Sequence, residues 1–159
     1  TRDNPTNPQK GLYLLLRETA YPEFLGTYDM TNWGTSFILS GYQPIWKGAL
    51  ITGDLYAQLN SQNTPWILRE ELGGALGRMR GYYAGRFIDT NQICAQIELR
   101  QHLASRFGCV AWVGAGTVFP SLKGFEWKNI LPNYGVGLRV EFGFGKETAG
   151  LCFGFGEAF

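Results

Sequence analysis

Few residues in this sequence could carry covalent chemistry. A single histidine, His102, stands close to Ser105, but no Gly-x-Ser-x-Gly sequence occurs, the turn that exposes the nucleophile in many hydrolases. The three cysteines, Cys94, Cys109 and Cys152, lack metal-ligand spacing. We interpret them as single small residues in strands, although an oxidising compartment would also permit a disulfide. The sequence therefore predicts no enzyme, no metal site and no cofactor.

A glycine-rich stretch, residues 70–86, stands out from the rest of the chain. It is too polar and too rich in glycine for a membrane strand, and too long for a simple turn. The segments on both sides alternate apolar and polar residues. We therefore predict a long loop at about residues 60–89 that is held by specific contacts of its own, with Arg80 as the anchor.

The composition narrows the class of protein. The 159 residues carry a formal net charge of +1, with 45% hydrophobic, 15% aromatic and 17% charged residues and 22 glycines. The charge balance and the lack of a basic cluster argue against a nucleic-acid partner. No run of 18 apolar residues predicts a transmembrane helix, whereas a tilted transmembrane strand needs only about 9–11 residues. No signal peptide precedes the first strand, so we expect a mature product or a piece of a longer chain, with residues 1–159 as one domain.

The elements that position the loop are predicted strands. Seven segments alternate in the manner of strands: 11–21, 33–42, 49–59, 91–101, 107–119, 134–142 and 149–159. The fourth is the clearest, because one face carries Ile93, Ala95, Ile97 and Leu99 and the other carries Gln92, Gln96, Glu98 and Arg100. Such a polar face fits the solvated side of an ordinary sheet or the wet interior of a barrel whose outside is lipid.

The connections and the last segment favour a membrane barrel over a soluble β-sandwich or a lipocalin-like barrel. Short connections (44–48, 102–105) alternate with long ones (22–32, 60–89, 120–133), as in outer-membrane barrels. The final predicted strand carries Phe153, Phe155 and Phe159 on one face, and aromatic residues suit the membrane interface. We predict an all-β, antiparallel transmembrane β-barrel of about eight strands, or the C-terminal half of a 16-stranded barrel.

Three stretches resemble one known family. They are Arg2-Asp3-Asn4-Pro5 through Gly11, the pair Gly73-Gly74 followed by Met79-Arg80-Gly81-Tyr82, and Tyr134-Gly135-Val136-Gly137-Leu138-Arg139 with the ending Gly156-Glu157-Ala158-Phe159. In this order they resemble the C-terminal half of the barrel in the bacterial surface-antigen superfamily, which includes the assembly factors BamA and TamA. The likeness covers nearly the whole chain.

The resemblance implies a site and a function. In the family, the sixth extracellular loop folds into the lumen and its arginine pairs with acidic residues of the following strands. Carried over, Arg80 pairs with Glu98, Gly81 lets the backbone pass close to the wall, and Tyr82 packs beside it. Further polar residues expected in the lumen are Gln96, Arg100, Arg139 and Glu141. A guanidinium fork and a carboxylate suit such a confined polar space.

The family's role is insertion, assembly or translocation of outer-membrane proteins. We expect this chain to act in the bacterial outer membrane without periplasmic domains of its own, with the lipid bilayer and other outer-membrane or periplasmic subunits as partners. The alternative is a small structural or accessory barrel with a plugged lumen and no transport. Two features depart from the family pattern. The strand at 107–119 has no acidic residue near Gly114, and seven predicted strands stand where eight are expected.

Overall fold

The computed structural model describes residues 8–25, 31–73, 78–104 and 107–140. Within these ranges the chain is all-β and antiparallel. Six long strands form one sheet in the order β1-β2-β3-β6-β7-β8, and two short strands, β4 and β5, pair separately inside the long loop. The strands are β1 Gly11–Tyr21, β2 Asn32–Trp46, β3 Ala49–Asn60, β4 Glu70–Glu71, β5 Ile88–Asp89, β6 Asn91–Ala104, β7 Phe107–Phe119 and β8 Leu131–Val140.

The six long strands form a simple meander, so their connections fall at two opposite ends of the sheet. One end, here called the turn end, holds the short connections after β2 and β6. The other, the loop end, holds the long connections and all four described 3₁₀ turns: Glu23–Leu25, Trp66–Leu68, Leu122–Gly124 and Trp127–Asn129. In the described part of the chain the sheet is open, with β1 and β8 at its edges.

The two faces of the sheet differ in an unusual way. Directly paired residues of antiparallel strands share a face, and pairs such as Asp54 with Gln96 and Thr52 with Glu98 gather polar side chains on what we call the inner face. Asp54 and Glu98 are only 4% and 3% exposed. On the opposite, outer face, Leu16 and Val136 are 65% and 81% exposed. The polar face of the sheet is therefore buried, and its apolar face is exposed.

The inner face is covered by the long loop between β3 and β6. Asn60 and Asn91 close the neck of this loop, because the Asn60 backbone N–H donates to the Asn91 Oδ1 at 2.8 Å. The Asn60 side chain also donates to the Thr90 carbonyl at 2.8 Å. The chain leaves the sheet at β3 and returns at the neighbouring strand β6, so the intervening segment can fold back under both.

Several predicted boundaries are wrong. β2 runs through Pro44 to Trp46 with a register irregularity there, so the predicted turn at 44–48 shrinks to its last two residues. β6 continues to Ala104, through most of the predicted turn at 102–105. The prediction missed both extensions because a proline and a histidine interrupt the alternation. The seventh predicted strand, 149–159, lies outside the described residues.

Candidate functional site: the arginine-anchored loop

A small apolar cluster fastens the loop to the sheet. Leu72 and Met79 of the loop are fully buried and pack with Cys94 of β6, and Tyr82 and Phe87 flank them. The β4–β5 pair is extended by a bond from the Leu72 N–H to the Phe87 carbonyl at 2.9 Å. These contacts bring both arms of the loop together beneath β6.

The backbone of the loop is shaped at two positions. Met79 has a φ of 60°, a conformation that is uncommon for a residue with a side chain. Gly73 has a φ of 103°, and a Cβ added there would lie 2.7 Å from the Tyr82 carbonyl oxygen. Only glycine allows the arms to approach this closely. The buried Met79 side chain lies between two arginines in sequence, Arg78 and Arg80, and both reach the sheet.

Arg80 contacts Glu98, the pairing that the family resemblance implies. Its Nη2 donates to the Glu98 Oε2, and the second oxygen of Glu98 accepts from the Arg100 Nε at 2.7 Å. The Arg80 guanidinium also lies over the Trp112 ring, 3.9 Å from its centroid. The Asn133 side-chain amide donates to the Arg80 carbonyl. Arg80 is therefore held by three consecutive strands, β6, β7 and β8.

On β7 the Arg80 guanidinium meets Trp112, which lies two residues from Gly114 on the same face of the strand. At Gly114 an added Cβ would lie 2.7 Å from the Ala95 carbonyl oxygen, so the strands approach too closely for a larger residue without a shift. Trp112 instead lies against Gly135 of β8, where an added Cβ would be 2.3 Å from its ring. The ring thus lies between the backbone of Gly135, which has no side chain, and the Arg80 guanidinium. This arrangement favours a cation–π contact.

A second ion pair was missed by the sequence analysis. Arg78 contacts Asp54 of β3 through its Nε, and its Nη2 lies 3.3 Å from the Asp54 Oδ1. Ser40 of β2 donates to the same carboxylate at 2.7 Å, and the Arg78 guanidinium lies 4.6 Å from the centre of the Tyr56 ring. The sequence places Asp54 on the polar face of β3, which is the strand next to β6 and Glu98. This pattern could have indicated the second ion pair.

Tyr82 and Gly81 are the remaining predicted residues of the loop that the structure describes. Tyr82 donates from its hydroxyl to the Pro132 carbonyl and meets the Phe87 ring edge-on at 5.7 Å. Gly81 was expected to pass close to the wall, and this is wrong. Its position is exposed and an added Cβ would meet nothing within 4 Å. The glycine is instead suited to its φ of 102°.

Gln96 is buried on the inner face, and within the described ranges neither atom of its amide has a hydrogen-bond partner. Arg100 bonds to Glu98. The other predicted positions lie outside what the structure describes: Gly74, Glu141, Phe153, Phe155, Phe159 and the side chain of Arg139.

The arrangement is suited to holding a loop in place. His102 is exposed at the turn end, where its backbone N–H donates to the Gly48 carbonyl at 2.7 Å, and Ser105 lies outside the described residues. Across the described ranges, no three His, Cys, Asp or Glu side chains form a group that could hold a metal ion. No helix among these residues has the length and apolar character to cross a membrane.

Neither a scan against protein-family models nor a search of the curated proteins finds a match to this chain.

Proposed function

We propose that this chain forms the wall of a transmembrane β-barrel in the bacterial outer membrane, with its long loop folded into the lumen. One observation carries the proposal, namely that the sheet buries its charged face and exposes its apolar face. In water this distribution would leave a large apolar surface uncovered. In a bilayer the outer face would meet lipid, and the inner face would meet the loop and lumenal water.

The ends of the strands support this placement. Trp33 is exposed on the outer face at the loop end, and Trp46 and Phe107 are exposed at the turn end. Between them, the outer face carries mainly aliphatic residues. Outer-membrane barrels have such an apolar band, flanked by aromatic residues at both interfaces. β1 has 11 residues, which matches the about 9–11 residues that a tilted strand needs to cross the hydrocarbon core.

We further infer a role in the insertion, assembly or translocation of outer-membrane proteins, as in the BamA and TamA family. The inference rests on the resemblance described above and on the loop, whose Arg80 reaches Glu98 in the way that the resemblance implies. Other outer-membrane or periplasmic subunits would supply functions that a barrel wall lacks. No covalent step is required, because the chemistry of this role is the pairing of strand edges.

Reconstitution with a client tests this role. The full chain is placed in lipid vesicles, and the folding of a urea-denatured small outer-membrane barrel is followed by its resistance to heat on electrophoresis. Faster folding of the client than in empty vesicles is the expected result. A chain that fails to enter vesicles would overturn the membrane placement itself.

The second candidate is a small structural or accessory barrel with a plugged lumen. It is favoured by the two ion pairs, Arg78 with Asp54 and Arg80 with Glu98, which tie the loop firmly across the inner face. In the same experiment this candidate predicts that the chain enters the vesicles but leaves the folding rate of the client unchanged.

A further inference from the structure

The loop end of the sheet exposes an unusual set of large apolar side chains. Each of the four 3₁₀ turns there carries at least one: Phe24, Trp66 with Ile67 and Leu68, Leu122, and Trp127. Trp66 and Trp127 are 79% and 80% exposed. These turns lie beyond the ends of the strands, which is the level that lipid headgroups would occupy in the proposed barrel.

Basic residues accompany three of these turns. Arg69 directly follows Trp66–Leu68, Lys123 lies within Leu122–Gly124, and Lys128 follows Trp127. All three are exposed. The acid next to Arg69 is directed to the sheet, because Glu70 accepts from the Tyr56 hydroxyl at 3.1 Å. We call Arg69, Lys123, Lys128 and the turns that carry them the basic–aromatic rim.

Two of the turns that carry the rim are held in place by defined contacts. Trp127 meets Phe125 edge-on at 5.2 Å, and Phe125 meets the buried Phe119 of β7 in the same way at 5.4 Å. The Lys123 turn is closed by Ser121, which accepts from the Gly124 N–H through its carbonyl at 2.9 Å and its hydroxyl at 3.2 Å. Trp127 therefore projects from a turn that packs against β7, and Lys123 projects from a turn that is closed by its own hydrogen bonds.

The acids of the described turns leave this cationic character in place. Glu126 forms an ion pair with Lys128 at 3.2 Å and also accepts from Asn129 at 3.0 Å. Glu23 lies in the turn after β1, which carries no basic residue of its own. Arg69 and Lys123 are therefore the stronger cations of the rim, and Lys128 is partly neutralised.

We propose that the basic–aromatic rim binds the phosphate-bearing headgroups of anionic lipids in the leaflet at the loop end. The inference rests on the proposed membrane placement. Tryptophan is enriched at the depth of lipid headgroups, and each basic residue near an anionic surface adds attraction. The rim combines both chemistries in three separate turns at the same end of the sheet, which favours lipid over a protein partner.

The test measures which lipid surrounds the chain. The full chain is reconstituted in phosphatidylcholine vesicles that contain brominated phosphatidylglycerol, and in vesicles where the brominated lipid is phosphatidylcholine. Bromine quenches nearby tryptophan fluorescence, so the two titrations give the relative affinity for the anionic lipid. We expect a preference of roughly fivefold at low salt, since one basic residue at the surface contributes about this factor, and a smaller preference at high salt.

Matched variants assign the preference to the rim. Arg69→Gln with Lys123→Gln should bring the relative affinity close to one. Arg17→Gln with Arg86→Gln removes the same charge from exposed positions that are not part of the rim and should keep the preference. Circular dichroism confirms that each variant retains its strands.

The remaining outcomes are distinct. Absence of a preference in the unaltered chain, or equal loss in both double variants, would overturn this inference, leave the membrane placement intact and assign the rim to a protein partner. Failure of the unaltered chain to enter either kind of vesicle would overturn the membrane placement on which the inference rests.

Discussion

Arg80 joins three strands through one residue. Its guanidinium contacts Glu98 of β6 and Trp112 of β7, and its carbonyl accepts from Asn133 of β8. Glu98 would remain buried if Arg80 were removed, although Arg100 would still contact it. The cost of losing Arg80 is therefore that of a partly unpaired carboxylate, together with the loss of the stacked ring contact.

Replacing Arg80 tests this anchor. Removing one partner of a buried ion pair costs about 3–5 kcal/mol, and because Arg100 remains we expect Arg80→Ala to lie at or below about 3 kcal/mol. The unfolding temperature in detergent should fall and the loop should become sensitive to protease. Arg86→Ala, at an exposed arginine of the same loop, is the control. Unchanged temperature and unchanged cleavage in Arg80→Ala would refute the anchor.

A second prediction at the residue scale concerns Gly135. A methyl group there would overlap the Trp112 ring and push it toward Arg80. Overpacking of this kind costs about 1–3 kcal/mol, so Gly135→Ala should lower the unfolding temperature and change the near-ultraviolet circular dichroism of tryptophan. Gly53→Ala is the control, because an added Cβ there meets nothing within 4 Å. Equal effects of the two substitutions would show that Trp112 does not need the space.

At the scale of elements, the loop is a short hairpin docked on a sheet. β4 and β5 pair through only two residues each, too few to be stable alone. The hairpin depends on Leu72 and Met79, which are buried against Cys94, and on the ion pairs at its tip. Conditions that weaken its docking should thus release the hairpin before the six-stranded sheet unfolds.

The pH dependence of this docking follows from Glu70. Burial raises the pKa of Glu70, and its hydrogen bonds to Tyr56 and Asn60 oppose the shift only in part. The folded state therefore favours the neutral acid. The contribution of Glu70 to docking is fully present below the ordinary glutamate pKa, about 4.3, and is lost as the pH rises through its pKa in the folded state.

Hydrogen exchange of the β4–β5 amides measures this effect. Protection in the native chain should decrease as the pH rises through this range, after correction for the intrinsic rate of exchange. Glu70→Gln keeps a neutral side chain and should remove the dependence, whereas Glu71→Gln, at an exposed neighbour, should keep it. A native chain whose protection is constant from pH 4 to 7 would contradict the role of Glu70.

At the scale of the whole molecule, the distribution of polar and apolar side chains over the two faces of the sheet indicates which surroundings each face requires. The sheet turns Leu12, Leu14 and Leu16 of β1 outward and leaves them largely exposed. The inner face is occupied by the loop, so this apolar surface has no cover among the described residues. A bilayer would cover it without any rearrangement of the strands.

A charge on the outer face tests this placement. Lysine near the middle of a lipid-facing strand costs about 2–4 kcal/mol, and close to the interface only about 0–1 kcal/mol. Leu16→Lys, at the middle of β1, should therefore impair folding into vesicles much more than Ala20→Lys, which lies on the same face near the loop end. The measurement is the folding free energy in vesicles from urea titration. Equal values for both variants would place the outer face in water.

The sequence by itself indicated the six long strands of the described sheet, though not all of their ends, and the polar and apolar faces of these strands, because alternation with a period of two is a local property of the chain. The resemblance to the surface-antigen superfamily, rather than the alternation, implied that Arg80 pairs with Glu98. Only the tertiary structure decided that Arg78 pairs with Asp54, that Met79 adopts a left-handed backbone, and that the Arg80 guanidinium lies over the Trp112 ring. These depend on which side chains meet across distant strands, and on how closely backbones approach at Gly73 and Gly135. Such distances are set by packing, which no single stretch of sequence encodes.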